Sequence, residues 1–228
     1  SDTPQIDTPH SRRRVSLSDY EYADLIDQQD KVRLLIDPTS SYAQAAAFAM
    51  GRAMDDVIIA AATGTASTGE TGSGSETAQT AIAASVGTGT GLNITKLRTA
   101  KQLLDSASVD PSIPRHIICG PEQITNLLGT TEVTSSDFNT VKALVNGEVD
   151  TFLGFKFTTS TRLAKTGNDR TVIAFAQDGI TLGIGKDVNA RIDERADKSY
   201  ATQVYYCMSI GATRMEKEKV VPITCTEA

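Results

Sequence analysis

The chain has 228 residues, 39% of them hydrophobic, and 22 basic against 28 acidic side chains give it a formal net charge of −6. That length makes one large domain or two interleaved ones, with enough chain for a substantial core. The acidic balance argues against a surface that grips DNA or an anionic membrane throughout, and there is neither a run of 18 apolar residues nor a basic-then-apolar secretory signal. The three cysteines, Cys119, Cys207 and Cys225, contain no CxxC spacing and read as reduced thiols rather than a disulfide framework. With only His10 and His116, a His-rich metal site is nearly excluded. The first residue is Ser1 rather than Met, from which a removed or missing upstream segment is expected.

Residues 1–17 are polar, carry Pro4 and Pro9, and lead into Arg12-Arg13-Arg14; they read as an extended arm. Arg14 to Ser18 alternates in the manner of a strand, and the acidic stretch Asp19 to Asp24 follows. After Leu34-Leu35-Ile36, the turn at Asp37-Pro38 and a cap at Ser40 or Ser41 open a long Ala-rich helix over 42–62. From Thr63 to Gly91 the chain is rich in Gly, Ser and Thr with few charges, and a long mobile loop ordered in part by its neighbours is expected, with Ala81 to Ala84 pairing as a short strand. Asn93 caps a helix over 94–106 whose Leu97, Ala100, Leu103 and Leu104 share one face. A buried strand over 115–119, a short helix over 122–128 and another over 137–145 come next. Residues 148–161 look strand-like around Phe152, Phe155 and Phe157. Strands are expected at 171–175, from Ile180 to Ile184, over the alternating run Val204 to Ala212, and at 220–225. Between them, 187–199 is charged.

Few motifs suggest chemistry. Gly87-Thr88-Gly89-Thr90-Gly91 has its third glycine one residue early for a dinucleotide loop and reads as flexible chain. Gly183-Ile184-Gly185-Lys186-Asp187 lacks both the first glycine and the final Ser/Thr of a phosphate loop, and reads as a turn leaving a strand. Asp55-Asp56 are about 100° apart on a helix, so they form no facing dyad; an ion pair with Arg52 or a neighbouring subunit is the simpler reading. His116 and Cys119 point to opposite faces of a strand, and Cys207 reads as a packing residue. No GxSxG is present. Arg12, Arg13 and Arg14 suit contact with an acidic neighbour better than nucleic acid, and Asp193, Glu194 and Arg195 read as a solvated turn or an intersubunit contact. These six are the candidate intersubunit contacts. No catalytic residue, cofactor or metal site is expected.

Three stretches carry a resemblance: RRRVSLSDYEYADLIDQQDKVRLLIDPTSSYAQAAAFAMGRAMDDVIIAAATG (12–64), EVTSSDFNTVKALVNGEVDTFLGFKFTTSTRL (132–163) and IGKDVNARIDERADKSYATQVYYCMSIGATRMEKEKVV (184–221). Together they resemble the major capsid proteins of tailed bacteriophages, which have the Johnson or Hong Kong ninety-seven fold. The resemblance implies an α+β capsid subunit. Residues 1–36 would be the returning part of the extended loop, and 37–92 a peripheral domain with its spine helix at 42–62. Residues 93–186 would be the axial domain, and 187–228 the return strands of the peripheral domain. It implies that an amino-terminal arm and the outgoing half of the loop precede residue 1, and it carries no cross-linking Lys–Asn pair onto this chain. The implied partners are copies of itself in hexamers and pentamers, with scaffold, portal and decoration proteins and packaged DNA held without sequence-specific contact. No membrane is involved. The implied place is the virion, after assembly in the bacterial cytoplasm. The rival readings are an encapsulin-like or prophage-derived shell, a cytosolic nucleotide-binding enzyme using the Gly-rich loop, and a secreted adhesin.

Overall fold

The computed structural model describes residues 10–27, 39–129 and 151–227. The expected helix over 137–145, Leu34 to Ile36 and the Pro38 turn lie outside the described residues. In chain order the elements are β1 (Arg13–Arg14), β2 (Ser18–Ile26), α1 (Thr39–Thr63), β3 (Ala66–Thr68), β4 (Gly74–Glu76), α2 (Ile94–Ser106), β5 (Arg115–Cys119) and α3 (Pro121–Leu128). They continue with β6 (Thr151–Phe152), β7 (Phe155–Thr159), β8 (Lys165–Thr166), β9 (Asp169–Ala176), β10 (Ile180–Arg195), β11 (Ala201–Arg214) and β12 (Val220–Thr226).

The strands among the described residues form three sheets. The largest runs β12-β9-β5-β7-β6, with β8 paired to β9; β5 and β7 are parallel and the other pairs antiparallel. Its core joins Ile117, Val172, Ala174, Val221 and Ile223 to the buried stripe Leu97, Ala100 and Leu104 of α2 and Leu127 of α3. The expected α2 stripe is therefore the packing face, and Asn93 accepts from Lys96 N at the helix start as its sequence position requires. The second sheet is β10-β11-β2, all antiparallel. The third is a small β1-β3-β4 sheet that ties the arm to the segment after α1.

α1 is 25 residues, about 37 Å at 1.5 Å per residue. It begins at Thr39, so Ser40 and Ser41 lie inside its first turn rather than capping it. It bridges two sheets: Met50 packs with Met208 and Ile210 of β11, and Ile59 and Ala62 pack with Ile173 and Val220 of the large sheet. Its many alanines let both sheets approach the helix backbone closely.

The structure departs from the sequence reading in places and adds to it in others. The acidic stretch from Asp19 is a strand: Tyr20 and Tyr22 alternate inward against the α1 contact while Asp19 and Glu21 stay exposed. Gly183 to Asp187 is the interior of β10 rather than a turn, with register shifts between Ile184 and Lys186 and between Lys186 and Asn189. Asp193, Glu194 and Arg195 end that same strand, and the turn lies beyond them, at Ser199 and Tyr200 with positive φ. Residues 151–159 are a hairpin, not one strand, turning at Leu153 and Gly154 with φ of 53° and 84°. The segment expected as a mobile loop carries the β3–β4 hairpin. Further along it, Ile82 enters the core, donating through its N to Pro222 O and accepting at its O from Thr224 N, at 2.9 Å each. Residues 187–227 divide between two sheets, because β11 pairs with β10 and β2 while β12 pairs with β9.

Candidate assembly surfaces

Three buried polar side chains hold the framework from which the outer surfaces project. Arg214 is fully buried and donates from Nη1 to Ala62 O (3.0 Å) and Gly64 O (2.8 Å), and from Nη2 to Glu76 O (2.9 Å). It thereby meets the orphan carbonyls at the end of α1 and joins them to β4. Lys96, also fully buried, donates from Nζ to Thr90 O (2.8 Å), Gly91 O (2.7 Å) and Thr224 O (3.1 Å), and burial lowers its pKa. Near the end of the chain, Glu227 receives hydrogen bonds from Arg170, Lys165 and Gln123. These hold its carboxyl at a pKa of about 2, the Arg170 bond contributing most.

The six expected contact residues fall in two places. Arg13 is turned inward: Nη2 bonds both carboxylate oxygens of Glu76 (2.9 and 3.0 Å), and Nε donates to Met215 O (2.7 Å). Arg14 donates to Thr71 O at 3.3 Å and is exposed, as is Arg12. On β10, Arg195 pairs with Asp197 and donates to Gln203 Oε1 (3.2 Å), while Asp193 and Glu194 face solvent. Arg14, on β1, and the preceding Arg12 therefore belong to a different part of the fold from Asp193, Glu194 and Arg195, which lie on β10 in another sheet.

The residues of the enzyme-like motifs are engaged in packing and local hydrogen bonds. Around Gly87 to Gly91 the backbone turns carbonyls, not amides, toward its neighbours: Lys96 Nζ and Asn93 Nδ2 take the oxygens of Val86, Thr90 and Gly91. A phosphate site needs amides aimed at the ligand, and here the Lys96 N at the start of α2 is already held by Asn93 Oδ1 at 2.8 Å. Asp56 pairs with Arg162, not Arg52, and that bond lowers its carboxyl pKa. His116 stacks on Phe175 with ring centroids 5.6 Å apart, and burial lowers its pKa. Burial raises the Cys119 thiol to about 12 and the Cys225 thiol to about 11, so neither is a ready nucleophile. A cavity of about 480 Å³ is lined by Lys101, Asp105, Ser112 and Arg115, and its carboxylate, Asp105, is paired with Arg115 at 2.6 Å. Among the described residues no group of His, Cys, Asp and Glu is placed to hold a metal ion, and no helix is long and apolar enough to cross a membrane.

No sequence motif signals an outer apolar surface that the fold presents. Phe48 on α1 is 66% exposed, Tyr200 at the β10–β11 turn 63%, and Ile184 and Ile192 on β10 52% and 50%; Val188 is exposed between them. The spacing of Ile184, Val188 and Ile192 was visible in the sequence, but it sits among charges and reads as a solvated segment until β10 is seen to run unbroken to Arg195.

Comparison with known proteins gives this surface a context. Among solved structures, the chain is similar to a structure titled Mycobacterium phage Che8: 20% identity, 90% of this chain and 70% of that one covered, TM-score 0.63. The capsid of Cyanophage P-SCSP1u matches at 16% identity over 95% of this chain and 74% of that one, TM-score 0.68. The capsid of Ralstonia phage GP4 matches at 9% identity over 94% and 74%, TM-score 0.71. No curated protein matches the chain in sequence. At these identities the structures speak for the fold alone, but a family model described as phage capsid protein matches residues 1–227. The chain therefore belongs to the phage capsid protein family.

Proposed function

We propose that the chain is the major capsid subunit of a tailed bacteriophage and assembles with copies of itself, as hexamers and pentamers, into the icosahedral shell around a double-stranded DNA genome. The observation that carries this reading is the family match over 1–227 on a fold shared with phage capsids. The surface chemistry supports it. Large apolar side chains stand exposed on α1 and on the long β10–β11 hairpin, while the interior is tied by Arg214, Lys96 and Glu227. A rigid tile with apolar outer contacts suits a shell in which many modest interfaces add through multivalency.

In this reading α1 is the spine helix, the large sheet with α2 and α3 the axial domain, and β10, β11 and β2 the peripheral sheet. Arg12 and Arg14 meet acidic side chains of a neighbouring subunit, and Asp193 and Glu194 face another contact. The role is structural, with no reaction catalysed and no cofactor held. Scaffold, portal and decoration proteins are the further partners. The acidic net charge keeps the coat from gripping the DNA it encloses. Assembly takes place in the host cytoplasm and the product resides in the virion. Mass spectrometry of purified phage particles carrying this gene tests the assignment: the chain's peptides are expected to dominate the virion protein. Their absence, or a trace amount, would remove the reading.

A further inference from the structure

Two strands of the peripheral sheet have a free edge. The order is β10-β11-β2, so β11 is paired on both sides, and among the described residues no strand pairs with the outer edge of β10 or of β2. A long exposed edge is a template for another strand, and proteins block such edges unless they use them. The two edges differ in charge. Across 18–27, beginning with β2, stand Asp19, Glu21, Asp24 and Asp27 with no basic residue, so this edge repels a copy of itself. Across 184–195 stand Lys186, Arg191 and Arg195 against Asp187, Asp193 and Glu194, a balance of zero in a chain of net −6.

The β10 edge also carries the apolar residues that the β2 edge lacks as a row. Ile184 lies opposite Ile210, and Ile192 opposite Val204, so both belong to the face on which α1 packs, yet both stay exposed beyond Leu182, the β10 residue that joins the α1 contact. Ala190, opposite Tyr206, is on that face too.

We infer that the outer edge of β10 is a twofold interface, at which β10 of a second copy adds antiparallel and joins two peripheral sheets into one. An interface of this kind is self-complementary, the same patch meeting itself. The register that brings Val188 of each copy opposite Ile192 of the other centres on Ala190, which then faces its own counterpart. In that register Asn189 meets Arg191. The extra β10 residue between Lys186 and Asn189 is a bulge, and it brings Lys186 round to Asp193 of the second copy. Asp187 is spent locally, its Oδ1 accepting from Val188 N at 2.7 Å. The second copy is argued from the neutral edge and the paired apolar residues. This inference rests on the capsid reading and adds the surface, the partner strand and the register.

Ala190→Cys tests it. The three native cysteines are buried, so an exposed cysteine at 190 is the one positioned to bridge two copies. After mild oxidation of particles or of the protein in solution, a covalent dimer is expected on non-reducing gels, and adding Val188→Asp and Ile192→Asp should abolish it. Ala23→Cys, on the acidic β2 strand, should give no dimer. If Ala190→Cys protein forms particles but no dimer, or if Ala23→Cys cross-links as readily, the twofold β10 interface is wrong while the capsid reading stands. Failure of the unmodified chain to form particles, with the Ala190→Cys dimer still present, would instead break the capsid reading and leave the interface. Because Ala190 is exposed, the variant should fold, and its circular dichroism should match the parent.

Discussion

Glu227 sits at the convergence of Arg170, Lys165 and Gln123, and it joins the chain end to β9 and α3. Its carboxyl has a pKa of about 2 against an ordinary 4.5, so the folded state favours the charged form. The stabilisation it supplies is complete above about pH 4.5 and is lost as the pH falls toward about 2. Urea unfolding at a series of pH values should show this loss, and Glu227→Gln should remove much of that dependence while destabilising the protein at neutral pH by about 2 kcal/mol. An unchanged acid profile in Glu227→Gln would assign the acid sensitivity elsewhere. Arg214 presents the opposite case, a cation holding three carbonyls in the interior. Arg214→Ala strands those carbonyls and is expected to cost about 3 kcal/mol, read as a lower urea midpoint. Neither residue announces itself in the sequence. Arg214 is one basic residue before Met215-Glu216-Lys217, and Glu227 is one acid near the end of the chain. Their partners lie 57 to 152 residues away, a distance that local pattern does not carry.

Glycine decides how the arm seats on the β10-β11-β2 sheet. A Cβ at Gly211 would collide with the Ser16 carbonyl, and Gly183, paired opposite Gly211, lies under Val15. Gly211→Ala should therefore lift residues 15–17 from the β10–β11 surface, seen as faster amide exchange in that stretch with the exchange of α2 unchanged. Equal exchange in both proteins would show that the arm tolerates the methyl group. Elements with one dominant period were legible: α2 with its Asn93 cap and Leu97, Ala100, Leu104 stripe, β5 and β9 as short apolar runs, and β11 by alternation. β2 and the outer half of β10 were not. The inward residues of β2 are tyrosines alternating with acids, and on β10 the apolar Ile184, Val188 and Ile192 stay exposed among charges and are put out of step by two register shifts, so the period of two is hidden beneath an acidic or charged run. A sheet edge that stays wet on one side has no need of a continuous apolar face. Order in the Gly/Ser/Thr segment comes in part from Asn93, Lys96 and Pro222 outside it, whereas its β3–β4 hairpin is marked by no apolar run.

At the scale of the molecule, the arrangement is one long helix spanning two sheets, with polar clusters at the joints and apolar residues left outside. Mixed helix and sheet was legible from the order of the apolar runs, and so was the family, through the wording of three long stretches. The exposed surfaces were not, because Phe48 sits in an Ala-rich helix where an apolar residue is expected to be buried. Phe48→Ala should change the stability of the isolated subunit by less than about 0.5 kcal/mol while lowering particle yield. A yield equal to that of the parent would take α1's outer face out of the contacts. The most direct measurement of the capsid assignment is cryo-electron microscopy of the protein expressed in bacteria, alone and with the products of its neighbouring genes. Closed shells are expected, each lattice position accommodating one chain with α1 as a rod and β10-β11-β2 as its flanking sheet. A protein that stays monomeric in both preparations and at every salt concentration would contradict the assignment.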